Sequence, residues 1–179
     1  MTTLIKASPG DAAMLTELAR NIYKEHYLHL WHPGGAEWYM ETYAYARDTI
    51  EKDLDNPEIE YTIAYEDDKA SGYMKLLLTS ELAGHALVAA MEVERIYLHK
   101  NATGKGLGRK FMQLAMERAL QLKKDIIFLK AMDSSTDAIA FYKSLGYKTC
   151  GSLQLPLPEF SVMKAEYRGM VILKQAVKG

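Results

Sequence analysis

The stretch Glu94-Arg95-Ile96-Tyr97-Leu98-His99-Lys100-Asn101-Ala102-Thr103-Gly104-Lys105-Gly106-Leu107-Gly108-Arg109 changes character part-way along. Its first residues read as the end of a strand, and its last residues open a helix. Just upstream, Met91 and Val93 are apolar at odd positions, whereas Ile96 and Leu98 are apolar at even ones. A strict period of two cannot put all four on one face. One extra residue near Glu94-Arg95 restores the phase, so the sequence predicts a β-bulge there; the other reading is that both faces of the strand are buried and the phase means little. A bulge would bend the strand away from a parallel neighbour and open a cleft between them.

The turn Thr103-Gly104-Lys105-Gly106-Leu107-Gly108-Arg109 then follows the strand. Glycines let a backbone approach a ligand closely. The first N–H groups of a helix are unpaired and sit at the positive end of its dipole, which suits a pyrophosphate. Lys105 and Arg109 add charge. A glycine-rich turn alone is also what an ordinary strand–helix loop looks like. No Gly-Lys-Ser or Gly-Lys-Thr closes it, so it is not a Walker loop. The spacing is Gly-x-Gly-x-Gly, and no Rossmann strand opens the chain, so it is a poor dinucleotide fingerprint. A diphosphate ligand of another class is implied.

Working outward, a helix is expected from about Gly106 to Leu122 and a short apolar strand over Ile126–Leu129. The step from Glu92 to Leu129 is a βαβ unit, which makes its two strands parallel neighbours. A helix over Asp137–Leu145 ends at Gly146. Strands over Tyr147–Leu153 and Tyr167–Gln175 finish the chain. Upstream, the long strand reaches back to about Leu87. Tyr61–Tyr65 and Gly72–Leu78 form a hairpin around the polar turn Glu66–Ser71. Ser8-Pro9-Gly10-Asp11 reads as a helix start, with the helix running to about Tyr27. Pro33-Gly34-Gly35 breaks the chain. A second helix carries Tyr39, Tyr43, Ala46 and Ile50 on one stripe and ends near Asn56-Pro57.

The bulk composition sets limits on function. The chain has 179 residues, 49% of them hydrophobic, and a formal net charge of −1. One compact domain over residues 1–179 is expected. With charges interspersed, no basic field recruits nucleic acid or an anionic membrane. The single cysteine, Cys150, permits no intrachain disulfide. The N-terminus lacks a signal-peptide pattern, and no apolar run approaches a membrane span. A soluble cytoplasmic protein is the expectation.

Glu94-Arg95-Ile96-Tyr97-Leu98 followed by Gly104-Lys105-Gly106-Leu107-Gly108 resembles motif A of the GNAT superfamily of N-acetyltransferases. Asp137-Ala138-Ile139-Ala140-Phe141-Tyr142-Lys143-Ser144-Leu145-Gly146-Tyr147 resembles its motif B. The order of elements is similar from end to end. The Glu-Arg-Ile-Tyr wording and the aromatic-rich second helix resemble bacterial PaiA-type polyamine acetyltransferases in particular. The resemblance implies an α/β single-domain fold: a mixed central sheet splayed between two parallel strands, with helices on both faces. It implies transfer of an acetyl group from acetyl-CoA to a primary amine of a small, polyamine-like molecule, by direct attack in a ternary complex. No metal is implied.

Carried over residue by residue, the resemblance has Ile96 and Leu98 pairing with the pantetheine arm as a strand would, with Tyr97 between them in the same cofactor-binding run. Thr103 to Arg109 would cradle the pyrophosphate, and Ser135, Ala138 and Tyr142 would line the opposite wall. Thr103 stands where Gln or Arg is common, and Ser135 where Asn is common. Neither change removes the fold or the reaction, and whether either weakens CoA binding stays open in the sequence.

An amine attacks only when neutral, and such amines are mostly protonated at neutral pH. A base is needed, and Glu92 and Glu94 are the candidates, Glu94 lying nearer the predicted bulge. Either is equally readable as a solvated carboxylate or a partner of Arg95. The Leu98 N–H would serve the oxyanion, and Tyr142 holds the position of the general acid. Tyr142 also fits a core stripe with Ala138, Phe141 and Leu145.

For the acceptor, Tyr27, Trp31, Trp38 and Tyr39 stand out in an aromatic group with Tyr23, His26, His32 and Tyr43. Glu25, Glu37 and Glu41 lie among them, which suits a cationic amine. His26, His29 and His32 recur every third residue, but Pro33 argues against a fixed metal triad. Two other functions stay open: acetylation of a protein N-terminus or lysine, and CoA sensing without turnover. A homodimer through an edge at Tyr167–Gln175 is a further expectation.

Overall fold

A computed structural model describes residues 1–178. Among the described residues, seven strands form one sheet in the order β1-β2-β3-β4-β5-β7-β6. They are β1 (Thr2–Lys6), β2 (Ile59–Glu66), β3 (Lys69–Ser80), β4 (Ala90–Leu98), β5 (Ile126–Met132), β6 (Lys148–Gln154) and β7 (Gly169–Ala176). The helices are α1 (Ala12–His26), α2 (Gly35–Trp38), α3 (Arg47–Asp55), α4 (Leu107–Gln121) and α5 (Thr136–Ser144). Among the described residues, β4 and β5 alone pair in parallel; every other neighbouring pair is antiparallel.

Two apolar layers flank the sheet. Leu15, Ile22, Tyr23, Ile50, Tyr61 and Tyr73 pack together on the face covered by α1 and α3. On the other face Leu107, Phe111, Ala115 and Ala119 of α4 bury one stripe against Met74, Met91, Val93 and Ile127. A spacing of four residues keeps that stripe on one side of the helix. Each large side chain so buried contributes about 1.5–3 kcal/mol.

The predicted bulge is present, at Glu94. Lys75 of β3 stands opposite Arg95 of β4, while its neighbour Leu76 stands opposite Val93. Glu94 is the unpaired extra residue. Met91, Val93, Ile96 and Leu98 therefore all join the α4-side layer, and Tyr97 joins the other. The parallel pairing of β4 with β5 runs from Ala90–Ile126 to Val93–Leu129 and stops there. Beyond it the two strands part.

Four expectations need correction. A strand, β1, precedes the first helix and pairs with β2. It is an edge strand whose outward residues Thr3 and Ile5 stay exposed, so it lacks a clear alternating pattern. The long strand starts at Ala90, because Leu87 is fully exposed in the preceding loop. The second helix is not continuous. It is α2, a π-helical turn over Tyr39–Tyr43, and then α3. The Ala44 N–H donates to the Tyr39 carbonyl at 2.8 Å, five residues back. Finally, β7 lies between β5 and β6 and has no free edge. The edge strands are β1 and β6, so dimerisation through Tyr167–Gln175 as an open edge does not apply.

A loop between β6 and β7 folds over the mouth of the parted strands. The Lys164 N–H donates to the Leu30 carbonyl at 2.9 Å, and the His32 N–H donates to Val162 at 3.0 Å. Arg168 Nη2 and Nε both donate to the Met163 carbonyl, at 2.6 and 2.9 Å. These bonds hold Phe160 and Met163 in place.

Candidate active site

The parted strands and the elements above them enclose a cleft of about 380 Å³. Its floor is Val93 to Tyr97 of β4 and Leu129 to Met132 of β5. Ser135, Ala138 and Tyr142, from the start and inner side of α5, form one wall. Tyr23 of α1 and Tyr27 just past its end, with Tyr39 and Tyr43 of the π turn, form another. Residues in a strand direct their N–H and C=O groups alternately to either side. The His99 N–H donates to Ser71 of β3 at 2.9 Å. Residue 98, and residue 96 before it, therefore present their backbone groups to the side where β5 has left. The Leu98 carbonyl there accepts a hydrogen bond from His26 Nε2 at 2.8 Å.

The bulge gives Glu92 and Glu94 different surroundings. Glu92 is buried and both its oxygens are held: Ser80 Oγ donates to Oε2 at 2.9 Å, and Lys130 Nζ lies 3.2 Å from Oε1. Glu94 Oε2 pairs with Lys75 Nζ at 2.7 Å, and Lys75 also pairs with Asp53 at 2.8 Å. Its Oε1 has Arg95 Nη2 as a neighbour at 3.8 Å, beyond hydrogen-bond reach. Of the two candidates, Glu94 keeps an oxygen open to the cleft. Burial pushes the Glu94 carboxyl up, but the Arg95 and Lys75 charges outweigh it and hold it below the usual carboxylate range. Burial, with Tyr27 adding to it, pushes the Tyr142 hydroxyl up to about 12.

The glycine turn lies beyond the cleft, where β4 runs into α4. Gly104 and Gly106 have φ of 75° and 82°, left-handed conformations that side chains disfavour. Gly106 is the residue before the first turn of α4. Gly108 serves packing instead: a Cβ there would come within 3.3 Å of the Phe141 ring on α5. Thr103 Oγ1 donates to the Lys100 carbonyl at 2.7 Å. Lys105 leans towards Glu66 at 3.5 Å, and Arg109 is exposed. Glu25 accepts from the Lys100 N–H and from His99 Nδ1, both at 2.8 Å, and so pins the approach to this turn.

The structure gathers some of the singled-out residues and disperses others. Glu92, Glu94, Ile96, Tyr97, Ser135, Ala138, Tyr142, Tyr27 and Tyr39 all line the cleft. Trp31 and Trp38 do not. Trp31 is 5% exposed, and its Nε1 donates to the Tyr23 hydroxyl at 3.0 Å. Trp38 stacks on Tyr43 with centroids 5.1 Å apart. Both support the tyrosine wall from behind. Glu37 and Glu41 are exposed and outside the cleft. His26, His29 and His32 part company: His29 lies edge-on to Tyr167 and His32 is exposed. Lys75, Asp53 and Lys130 were not singled out from the sequence. A lysine between Met74 and Leu76 in a buried strand was the available signal for the first.

A mixed sheet that splays at its one parallel pair, with a bulged strand running into a glycine turn at a helix start, defines an acetyltransferase architecture. The model of the acetyltransferase (GNAT) family matches residues 18–147, most of the chain, and the chain belongs to that family. Over 80 residues it is 30% identical to an uncharacterised N-acetyltransferase in the pepI 3′ region of Lactobacillus delbrueckii subsp. lactis. That match covers 45% of this chain and 46% of the relative, so the chain spans about half the length of that curated protein.

Among solved structures, PaiA N-acetyltransferase from Thermoplasma acidophilum, in complex with coenzyme A, is similar with a TM-score of 0.75 and 17% identity. The likeness covers 98% of this chain and 99% of that one. A variant of spermidine N-acetyltransferase SpeG from Vibrio cholerae has a TM-score of 0.69 and 15% identity, over 98% and 93% of the two chains. At such identities these likenesses speak for the fold. Among the described residues, no helix is long and apolar enough to cross a membrane.

Proposed function

We propose that this protein transfers an acetyl group from acetyl-CoA to a primary amine of a small acceptor, in the cytoplasm. One observation carries the reading: β4 and β5 part after Val93 and Leu129, and the cleft so opened has Glu94 and Tyr142 in its lining. The residues fit the co-substrate. Ile96 and Leu98 offer backbone groups that β5 no longer pairs. The positive φ values of Gly104 and Gly106 leave the N–H groups at the head of α4 uncovered by side chains. Acetyl-CoA supplies an acyl thioester, whose carbon–sulfur bond is exchanged for a carbon–nitrogen bond.

The chain's own groups then have separate tasks. Glu94 stays ionised at neutral pH, so its open oxygen orients the amine and receives its proton, directly or through water. Its lowered basicity means that the proton passes on to solvent instead of resting there. Glu92, with both oxygens held, acts as a fixed part of the floor. Tyr142 keeps its proton at neutral pH and can hand it to the departing sulfur. The Leu98 N–H is the donor for developing negative charge on the carbonyl oxygen. Tyr27 and Tyr39 offer ring faces to the alkylammonium group. A polyamine is one acceptor these faces suit, and the names of the PaiA and SpeG neighbours are in line with it.

The test is release of the CoA thiol, with acetyl-CoA against spermidine, spermine, free amino acids and a lysine peptide. Amine-dependent release is expected with a small acceptor. In Tyr142→Phe, kcat should fall on the order of 100-fold while the KM for acetyl-CoA holds. No release with any amine, despite tight acetyl-CoA binding, would turn the reading towards a sensor. A preference for the peptide would turn it towards protein acetylation.

A further inference from the structure

The acceptor end of the cleft holds a cation, Arg95, whose charge helps to keep Glu94 ionised but whose N–H donors the transfer reading leaves without a task. Arg95 directly follows the bulge, so its side chain shares a face with Tyr97 and stands opposite Lys75. That side chain is 10% exposed, and it lines the cleft. The Tyr45 ring lies 5.2 Å from its guanidinium carbon, and the Tyr39 hydroxyl is within reach of it. These rings fix the plane of the group without neutralising it.

What Arg95 lacks is a carboxylate. Among the described residues the nearest carboxylate oxygen is Glu94 Oε1, at 3.8 Å. The other Glu94 oxygen is held by Lys75 at 2.7 Å. Asp53 is held by Lys75 at 2.8 Å and by the Tyr61 hydroxyl at 2.7 Å. Neither carboxylate is free to turn. A guanidinium has five N–H donors and cannot shed its charge. Buried with no anion in hydrogen-bond contact, it is costly to keep, unless a ligand supplies the anion. An open carboxylate oxygen and an open guanidinium stand side by side, which matches an ammonium and a carboxylate a few bonds apart.

We infer that Arg95 is a carboxylate subsite, and that the acceptor is an amine of the amino-acid class, its ammonium on Glu94 and its carboxylate on Arg95. The inference rests on the transfer reading only for which end of the cleft receives the acceptor. It departs from a polyamine, which has no anion to offer.

The experiment has a binding arm and a turnover arm. Lysine, glutamate, methionine and phenylalanine, each beside its carboxamide, are titrated by calorimetry into the full-length protein saturated with CoA. At least one acid is expected to bind on the order of 100-fold more tightly than its amide, because a buried polar group left unpaired rejects the analogue. Arg95→Gln should erase that ratio mainly by weakening the acid. Arg95→Lys keeps the charge and should retain part of the ratio; urea melts of both variants report on folding separately.

In the turnover arm the same pairs and spermidine are compared by kcat/KM, and the acids should lead. Equal binding of acids and amides, an equal loss for both in Arg95→Gln, or spermidine as the best acceptor would each overturn the inference. Absence of binding by every acid would overturn it too. Carboxylate-dependent binding without CoA release would leave the subsite standing and remove the transfer reading.

Discussion

The two ends of the cleft are built in different ways. The glycine-turn end comes from one continuous run, from β4 through α4 and β5 to α5. Its parts meet because a right-handed crossover returns the chain to the neighbouring strand. The tyrosine end is assembled from distant pieces: Tyr23 and Tyr27, the π turn at Tyr39–Tyr43, Asp53 of α3, Lys75 of β3 and the loop carrying Phe160 and Met163. The first end depends on backbone conformation, and the second on buried side chains that satisfy one another. Substitutions should therefore act through different observables at the two ends.

The largest effect belongs to the tyrosine end. Among the described residues, Lys75 is the one cation in contact with both Asp53 and Glu94, and its side chain is 7% exposed. Lys75→Met leaves two half-buried carboxylates without it; losing one partner of a fully buried pair costs about 3–5 kcal/mol, and here about 2–3 kcal/mol is expected. Urea unfolding measures this. Adding Asp53→Asn and Glu94→Gln should recover most of the loss. A single-variant loss under about 1 kcal/mol would mean that this network does not hold the end together.

Glu94 sharpens the comparison through pH. Its carboxyl lies below the usual range in the folded protein, with burial opposing and Arg95 and Lys75 prevailing. The stability it contributes is thus fully present above the ordinary carboxylate pKa. It is lost as pH falls through the lower, folded value. Glu94→Gln should flatten the acid side of the stability curve below about pH 4.5. In turnover, Glu94 is ionised throughout the neutral range, so the rise of kcat/KM with pH should follow the acceptor amine alone. Glu94→Gln should lower that curve without moving its break. A shifted break would show that the carboxylate titrates during the reaction.

At the glycine-turn end the expected effect is smaller and falls on the co-substrate. Gly106 has φ of 82°, and a side chain in that region costs about 1–2 kcal/mol. Gly106→Ala should lose about that much stability, or twist the turn and weaken acetyl-CoA binding by about tenfold. The affinity for amines should not change. A change in acceptor preference instead would mean the two ends are coupled.

The same contrast explains what could be read from the sequence. The bulge at Glu94 was legible because four apolar residues lose and regain phase, and one extra residue lets a period of two face all four to one side. The crossover and the glycine turn were legible for similar local reasons. At the tyrosine end, aromatic residues are used both as lining and as packing, and spacing alone cannot separate the two. Tyr39 and Trp38 are adjacent, yet a π turn sends one to the cleft and the other behind it. Glu25 sits within the aromatic group in sequence but reaches His99 and Lys100. The partners of Lys75 lie 22 residues before it in Asp53 and 19 after it in Glu94. Only the sheet register brings them together.

Trp31 gives the finest cut between lining and support. Its indole N–H donates to the Tyr23 hydroxyl at 3.0 Å, and its ring packs on Tyr39 with centroids 5.0 Å apart. Trp31→Phe keeps an aromatic ring but removes the donor, leaving a buried tyrosine hydroxyl with one bond fewer. The expected cost is about 0.5–1.5 kcal/mol of stability, read from urea melts. The acceptor KM should stay within about twofold, since the hydrogen bond lies behind the wall and only small relaxation reaches Tyr39. Tyr39→Phe should behave in the opposite sense, raising the acceptor KM because its hydroxyl stands beside Arg95 in the cleft. If Trp31→Phe instead raised the acceptor KM and left stability intact, the indole would have to be counted as lining. The tyrosine end would then be deeper than the present wall.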